Sequence, residues 1–230
     1  MLYTAIVNHL SKISKLILLL TFINGYSCIV LSQNNDTIYN GYTQFKYLNG
    51  IISSEGNMVD GKPNGYWKTF YENGKIKSEG DRLNYKLEDL WIFYNSNGDT
   101  IEKIYFRNGK KNGYHFKYTF DTLNHRSGYL SSKELFVKGK KQNKSYYYFD
   151  NGSIYQIVNF LNDRRDNLTR EFDRDGKLIT VIEYRKNIIT KKEKINRIDD
   201  RGYKQGVWRT YFDNDRVWKE DNYLNNELHG

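Results

Sequence analysis

The residue types that carry most enzyme chemistry are few and scattered in this chain of 230 residues. It has one cysteine, Cys28, and its four histidines, at positions 9, 115, 125 and 229, are far apart. No H-E-x-x-H zinc motif, cysteine pair or G-x-S-x-G nucleophile motif occurs. We expect His115, which lies beside an aromatic residue in a repeated motif, to have a packing or surface role. The sequence therefore predicts a protein that is not an enzyme, with no catalytic residue, metal site or cofactor.

A second set of residues with binding chemistry is aromatic. Trp67, Trp91 and Trp208 share one position of a repeated pattern, and Tyr71 and Phe212 share another. Large aromatic side chains bury much area with few rotors to freeze, so they are enriched at binding surfaces. These five residues are a candidate binding surface, an exposed ladder for a polymer or a partner protein. The alternative, which the sequence favours, is that both faces of a sheet are partly packed and the ladder is structural.

The repeated pattern has a period of 24 residues, marked by an anchor residue in each unit. Two intervals are longer, 30 residues from Gly98 to Gly128 and 39 residues from Gly176 to Asp215, which indicates insertions. A unit this short cannot bury its apolar face alone, so neighbouring units must cover one another. The anchors are Gly50, Gly74, Gly98, Gly128, Gly152, Gly176 and Asp215.

Each unit has the pattern of two strands. Apolar residues recur two and eight positions after the anchor and aromatic residues recur four before it, and even spacings lie on one face of a strand. The sequence therefore predicts an all-β protein, an elongated open-ended antiparallel sheet built from stacked ~24-residue β-hairpin repeats. It also predicts that Phe70 and Tyr211 lie on the buried face, with Trp67 opposite. Asn73-Gly74 and Asn151-Gly152 are the dipeptides of two-residue type I′ turns.

Composition agrees with this fold. Hydrophobic residues make up 38% and aromatic residues 16% of the chain, with eighteen glycines and one proline. Tyr and Phe favour strands, and the glycines suit many tight turns. The net charge is +9, of which Lys12 and Lys15 supply two, so residues 28–230 carry +7. Acidic residues are interspersed and no long run of like charges occurs, so nucleic acid is not an expected partner.

The first 27 residues have the pattern of a signal peptide. Lys12 and Lys15 precede the apolar run 16–23, and small residues precede Cys28. The sequence therefore predicts export, to the periplasm, the outer membrane or the extracellular space. Cys28 follows Gly-Tyr-Ser and is a candidate lipid attachment site of a lipoprotein, with simple secretion or a retained anchor as alternatives.

Charge and period divide the rest of the chain. We expect a tether at 28–38, a repeat block at 39–189 and a charged insertion at 190–203. A terminal repeat should occupy 204–230, and one reading is that this repeat is incomplete.

The repeated motifs resemble the MORN-type repeat, in the variant form of bacterial exported proteins. The resemblance rests on Gly61–Trp67 (G-K-P-N-G-Y-W), Tyr71–Ile76 (Y-E-N-G-K-I), Asn108–Tyr114 and Gly202–Trp208. It implies stacked β-hairpins with roles in protein or membrane association, and it supplies no catalytic residues. Some bacterial members carry an antitoxin label, which predicts little chemistry.

These observations predict a non-enzymatic repeat scaffold that mediates protein–protein interaction in the bacterial cell envelope. The partner would be a different protein or a second copy, added as a strand to the terminal hairpin. The alternative is direct ligand binding, either to anionic lipid headgroups of a membrane surface through the basic surface or to a glycan along the aromatic ladder.

Overall fold

The computed structural model describes residues 39–121 and 126–229. Every regular element in these ranges is a β-strand. The predicted signal peptide (1–27), the tether (28–38) and Cys28 lie outside the described residues.

The described ranges contain eighteen strands, numbered in chain order. They are β1 (Gly41–Lys46), β2 (Ile52–Val59), β3 (Lys62–Phe70), β4 (Ile76–Leu83), β5 (Lys86–Tyr94), β6 (Thr100–Arg107), β7 (Lys110–Asp121), β8 (Arg126–Val137), β9 (Lys140–Lys141), β10 (Asn143–Tyr148), β11 (Ile154–Leu161), β12 (Arg164–Phe172), β13 (Leu178–Arg185), β14 (Ile188–Lys194), β15 (Arg197–Ile198), β16 (Lys204–Tyr211), β17 (Val217–Leu224) and β18 (Glu227–Leu228).

The strands form two sheets whose order follows the sequence. The first sheet contains β1 to β14, with the two-residue β9 paired to β8 beside the main order, and the second contains β15 to β18. Every pair of hydrogen-bonded neighbours is antiparallel. The first sheet is open, with β1 at one edge and β14 at the other. The predicted all-β sheet of stacked hairpins is confirmed.

Two kinds of turn alternate along the first sheet. At the anchor turn of β3 and β4, Gly74 N–H donates to Tyr71 O (2.9 Å) and Tyr71 N–H to Lys75 O (2.8 Å). Gly74 lies in the left-handed region at φ 80°, which closes a three-residue loop. The other turn is the two-residue kind with positive φ at both positions, as at Asp60 (49°) and Gly61 (70°). The predicted type I′ turns at Asn73-Gly74 and Asn151-Gly152 were therefore wrong, because that geometry belongs to the other turn of the unit.

The two predicted insertions have different structural consequences. The insertion before Gly128 lengthens one hairpin, since β7 and β8 have 12 residues each whereas β11 has 8. In the segment 190–203, β14 first extends the first sheet by pairing with β13. The chain then crosses to the second sheet at Asn196, whose side-chain Nδ2 donates to Leu178 O (2.9 Å) and whose Oδ1 accepts from Arg209 N (2.7 Å). One buried amide thus bridges both sheets.

A buried row crosses the first sheet from β2 to β13, with one residue from each long strand. Neighbours in the row are mostly direct cross-strand partners, for example Trp67 with both Gly56 and Gly80. The row consists of Gly56, Trp67, Gly80, Trp91, Ile104, His115, Glu134, Ser145, Val158, Thr169 and Ile182, all of them buried.

The predicted buried face was wrong for the strand before the anchor. Trp67, predicted to lie opposite, is buried with Trp91, whereas Phe70 and Tyr211 are only half-buried. Met58, eight residues after its anchor, is buried as predicted. The pairing register shifts between Gly56 and Met58 and again between Thr69 and Phe70. The second shift leaves one extra residue in β4, because Thr69 pairs with Ser78 and Phe70 with Ile76. Even and odd offsets counted across this turn therefore no longer separate the two faces.

Glycines in the row make room for the tryptophans. A Cβ at Gly56 would lie 2.3 Å from Trp67 Cε3, and a Cβ at Gly80 would lie 2.6 Å from Trp91 Cγ. Neither distance is compatible with van der Waals packing. Glycine at these two positions therefore allows each indole to lie flat against the backbone of the preceding strand.

We expect Gly80→Ala to lower the free energy of unfolding by ~1–3 kcal/mol, because the added methyl group displaces the Trp91 ring. The measurement is urea denaturation followed by circular dichroism. Gly74→Ala is the matched control, since a Cβ there meets nothing within 4 Å and the cost is confined to left-handed strain of ~1–2 kcal/mol. An unchanged midpoint in Gly80→Ala would show that the ring is not held against the backbone.

Candidate interaction site

Two of the five predicted ladder residues lie in the core. Trp67 and Trp91 are 4% and 2% exposed, and the Trp91 indole Nε1 donates to Asp81 O at 2.7 Å. Neither ring can present a face to a polymer or a partner. The prediction of an exposed aromatic ladder is therefore wrong for Trp67 and Trp91, and the alternative, that these residues pack within the structure, is correct for them.

The other three ladder residues have different surroundings. Tyr71 is half-buried and its hydroxyl donates to Tyr94 O at 2.7 Å, which links successive hairpins. Trp208 is half-buried beneath the ammonium groups of Lys177 and Lys204, which lie 5.0 and 4.6 Å from its ring centroid. Phe212 is exposed. The structure does not bring the five residues together into one surface.

Phe212 instead belongs to an apolar patch at the turn between β16 and β17. Its ring centroid lies 6.3 Å from that of Trp218, which is 65% exposed, and Val217 beside it is also exposed. We call Phe212, Val217 and Trp218 the hairpin patch. Sequence reasoning missed Trp218, although the signal was present, because a tryptophan three residues after the anchor occurs in no other unit.

The hairpin that carries this patch is fixed onto the first sheet by Asp215. Its carboxylate accepts from Arg170 Nη2 (2.5 Å) and Asn159 Nδ2 (3.0 Å) and lies 3.2 Å from Lys144 Nζ. These partners come from β12, β11 and β10, so one carboxylate contacts three adjacent strands. Asp215 stands where the other anchors are glycine, and its φ of 66° keeps the same left-handed turn. The hairpin patch is therefore held at a defined place.

The strand edge beside the patch is largely open. β17 pairs with β16 from Val217 to Tyr223, whereas β18 covers β17 only at Tyr223 and Leu224, with one further bond from His229 N to Asn222 O. Within the described residues, the outer edge from Val217 to Asp221 has no strand beside it. Unpaired N–H and C=O groups on such an edge are a template for another strand.

The most enclosed ionisable cluster lies inside the buried row, around His115. His115 is 1% exposed, and its Nε2 and Nδ1 lie 3.3 Å from Glu102 Oε2 and 3.8 Å from Glu134 Oε2. The Nε2 atom has no hydrogen-bond partner among the described residues. Lys141 Nζ (2.5 Å) and Tyr147 Oη (2.9 Å) both donate to Glu134 Oε1. The predicted packing role of His115 is confirmed, and it occupies the row position that Trp67 and Trp91 fill elsewhere.

Electrostatics in this cluster favour ionised carboxylates. Burial raises the pKa of Glu134, whereas the hydrogen bond and charge of Lys141 and the hydrogen bond from Tyr147 lower it. The lowering effects together outweigh burial, so the pKa of Glu134 is below its ordinary value. Neighbouring His115 is the main cause of a lowered pKa at Glu102. His115 and Glu134 are both buried, so we expect this cluster to act in the packing of the sheet.

The described residues contain no group of three or more His, Cys, Asp or Glu side chains able to hold a metal ion. They also contain no helix long and apolar enough to span a membrane.

Comparison with known proteins identifies two segments. Residues 63–84 and 204–225 each match the family model described as the MORN repeat variant. The first segment spans most of β3 and all of β4, and the second spans β16 and β17. Curated proteins provide no match to the chain.

Proposed function

We propose that this chain, whose residues 63–84 and 204–225 are MORN-type repeats, is a non-enzymatic scaffold that binds a protein partner in the bacterial cell envelope. The envelope context rests on the export signal predicted at residues 1–27. The partner is a different protein or a second copy of this chain.

The observation that carries the proposal is the open edge of β17 beside the hairpin patch. An incoming strand would pair with backbone groups from Val217 to Asp221, and Trp218 would supply apolar contact beside it. Backbone pairing supplies affinity in such strand addition, and the neighbouring side chains supply specificity. Asp215 holds the hairpin on the first sheet, so little ordering is required when the partner binds.

We expect Trp218→Lys to abolish capture of the partner, because it replaces apolar contact at the edge with a charge that discourages strand pairing. The measurement is crosslinking and pull-down from envelope extracts, together with sedimentation of the purified chain to detect self-association. Tyr66→Lys is the control, since Tyr66 is 50% exposed and lies in β3 of the first sheet. Equal recovery with Trp218→Lys and the parent would contradict this edge as the binding site.

The second candidate is direct binding to anionic lipid headgroups, favoured by the charge of +7 on residues 28–230. Vesicles containing anionic lipid distinguish it, because electrostatic binding weakens steeply with salt whereas strand addition does not. Salt-sensitive vesicle binding with no recovered protein partner would replace the scaffold proposal with this one. Glycan binding along the aromatic ladder is not supported at Trp67 and Trp91, because both side chains are buried.

A further inference from the structure

A cavity beside Trp208 has features that the scaffold role does not use. Its volume is 270 Å³, and its walls include Lys177, Lys204, Trp208 and Tyr223. Lys219 and Asp221 of β17 also line it, but its interpretation does not rest on the proposed function.

The cavity arises from a gap in the repeated packing. The Trp91 ring in β5 lies over Gly80 of β4, and the indole N–H of Trp91 donates to Asp81 O, which is also in β4. Trp208 in β16 is preceded by β15, which has only two residues. The chain before β15 turns back to the first sheet, where Ile195 N donates to Ile179 O (2.9 Å). Strand β4 covers the Trp91 ring, but no strand of similar length in the described ranges covers the Trp208 ring, and the cavity lies in that space.

The gap leaves the indole N–H of Trp208 without an acceptor. Its Nε1 atom is buried and has no hydrogen-bond partner among the described residues. A buried donor left unpaired costs roughly 1–3 kcal/mol. An acceptor atom supplied by a ligand would remove this cost.

Positive charge surrounds the same space. Lys204 Nζ lies 4.6 Å from the Trp208 centroid and 4.7 Å from that of Tyr223, and Lys177 Nζ lies 5.0 Å from Trp208. In the described part of the chain, these contacts with aromatic rings are the only side-chain interactions of either ammonium group.

The other charges near the cavity are already balanced. Lys219 Nζ is 2.8 Å from Asp221 Oδ2, and Arg209 is paired with both Glu193 and Glu220. Lys177 and Lys204 are thus an uncompensated pair of cations beside an unpaired donor.

We propose that this cavity binds a small soluble oxyanion, a carboxylate or phosphate group carried by a small molecule. The anion would accept from Trp208 Nε1 and from the two ammonium groups, which are charge-assisted bonds of the stronger kind. Tyr223 and the Trp208 ring supply the apolar wall. Because the lysines lie over the Trp208 ring, that ring is not free to stack on a neutral sugar.

The test is a titration of the ¹⁵N-labelled full chain with inorganic phosphate, and separately with acetate, at constant ionic strength. We expect the indole N–H signal of Trp208, assigned by its loss in Trp208→Phe, to shift saturably. The Trp91 signal should stay in place because its N–H is already bonded to Asp81 O. The exposed Trp218 reports general effects of the added salt.

Lys177→Gln and Lys204→Gln should each weaken binding roughly tenfold, the loss expected for one bond to a charged group. Lys62→Gln with Lys86→Gln is the matched control, because these two lysines also lie over one aromatic ring, that of Tyr85. The control should bind as the parent does. Calorimetry on each folded variant gives the same comparison independently of the indole signal.

Two outcomes would overturn the site. One is the absence of a saturable Trp208 shift with either anion before the Trp218 signal also moves. The other is unchanged affinity when Lys177 and Lys204 are both replaced in a chain that keeps the parent circular dichroism spectrum.

Discussion

Trp91→Ala should lower the free energy of unfolding by ~3–5 kcal/mol, the range for removal of a large aromatic side chain from a core. Trp91 is 2% exposed, packs with Met58 and Trp67, and contacts the Phe93 ring at a centroid distance of 6.1 Å. The substitution leaves a cavity between β4 and β6 and also leaves Asp81 O without its indole donor. The measurement is urea denaturation followed by circular dichroism.

Trp218→Ala is the matched control for this prediction. The same residue type is removed, but Trp218 is 65% exposed, so the change should stay within about 0.5 kcal/mol. If the two variants unfold at the same urea concentration, the buried row does not carry the stability assigned to it.

The second large effect is expected at Glu134. Glu134→Ala leaves the Lys141 ammonium group and the Tyr147 hydroxyl without their carboxylate partner in a buried site, and removal of one partner from such a pair costs ~3–5 kcal/mol. Glu72→Ala is the control, since Glu72 is an exposed carboxylate in a turn. The free energy of unfolding at neutral pH is the quantity to compare.

The pH dependence of the same variant supplies an independent check. The pKa of Glu134 in the folded chain is below its ordinary value of 4.5, so its contribution is fully present above that value. The contribution is lost as the pH falls through the lowered pKa of the folded state. The stability difference between parent and Glu134→Ala should therefore shrink as the pH falls from about 4.5. A difference that is constant down to the acid transition would show that the ionised carboxylate is not what stabilises the row.

The sequence was sufficient to predict the hairpins because the period is carried by residues with strong local preferences. Anchor glycines such as Gly74 lie at positive φ in the structure, and two-residue turns such as Asp60-Gly61 follow at a fixed distance. The interval between Gly98 and Gly128 likewise indicated the longer hairpin of β7 and β8. Strand pairing between neighbours in sequence then required no long-range information.

The buried face could not be predicted in the same way. The single register shift between Thr69 and Phe70 changes which sheet face a given offset from the anchor lies on. No residue type in the sequence indicates where this shift occurs. The close contact between Gly80 and Trp91 could nevertheless have been predicted, since a glycine inside a strand often indicates that another group approaches the backbone closely.

Contacts between residues far apart in the chain also could not be predicted from the sequence. Asp215 replaces an anchor glycine, but its partners Lys144, Asn159 and Arg170 lie 45 to 71 residues earlier. Asn196 has no counterpart in the other units, and its role depends on where two sheets meet. The cavity beside Trp208 follows from that meeting, so only the three-dimensional arrangement reveals it.

The sequential order of β1 to β14 has a consequence for how the chain acquires its structure. Each strand pairs with strands adjacent or close to it along the polypeptide, so the contact order of the first sheet is low and rapid folding is expected. A hairpin can form as soon as its own residues are free and can then serve as a template for the next. If the chain crosses a membrane as the sequence predicts, folding can proceed vectorially from β1 as successive hairpins emerge. The second sheet would dock last, when Asp215 reaches the strands already assembled.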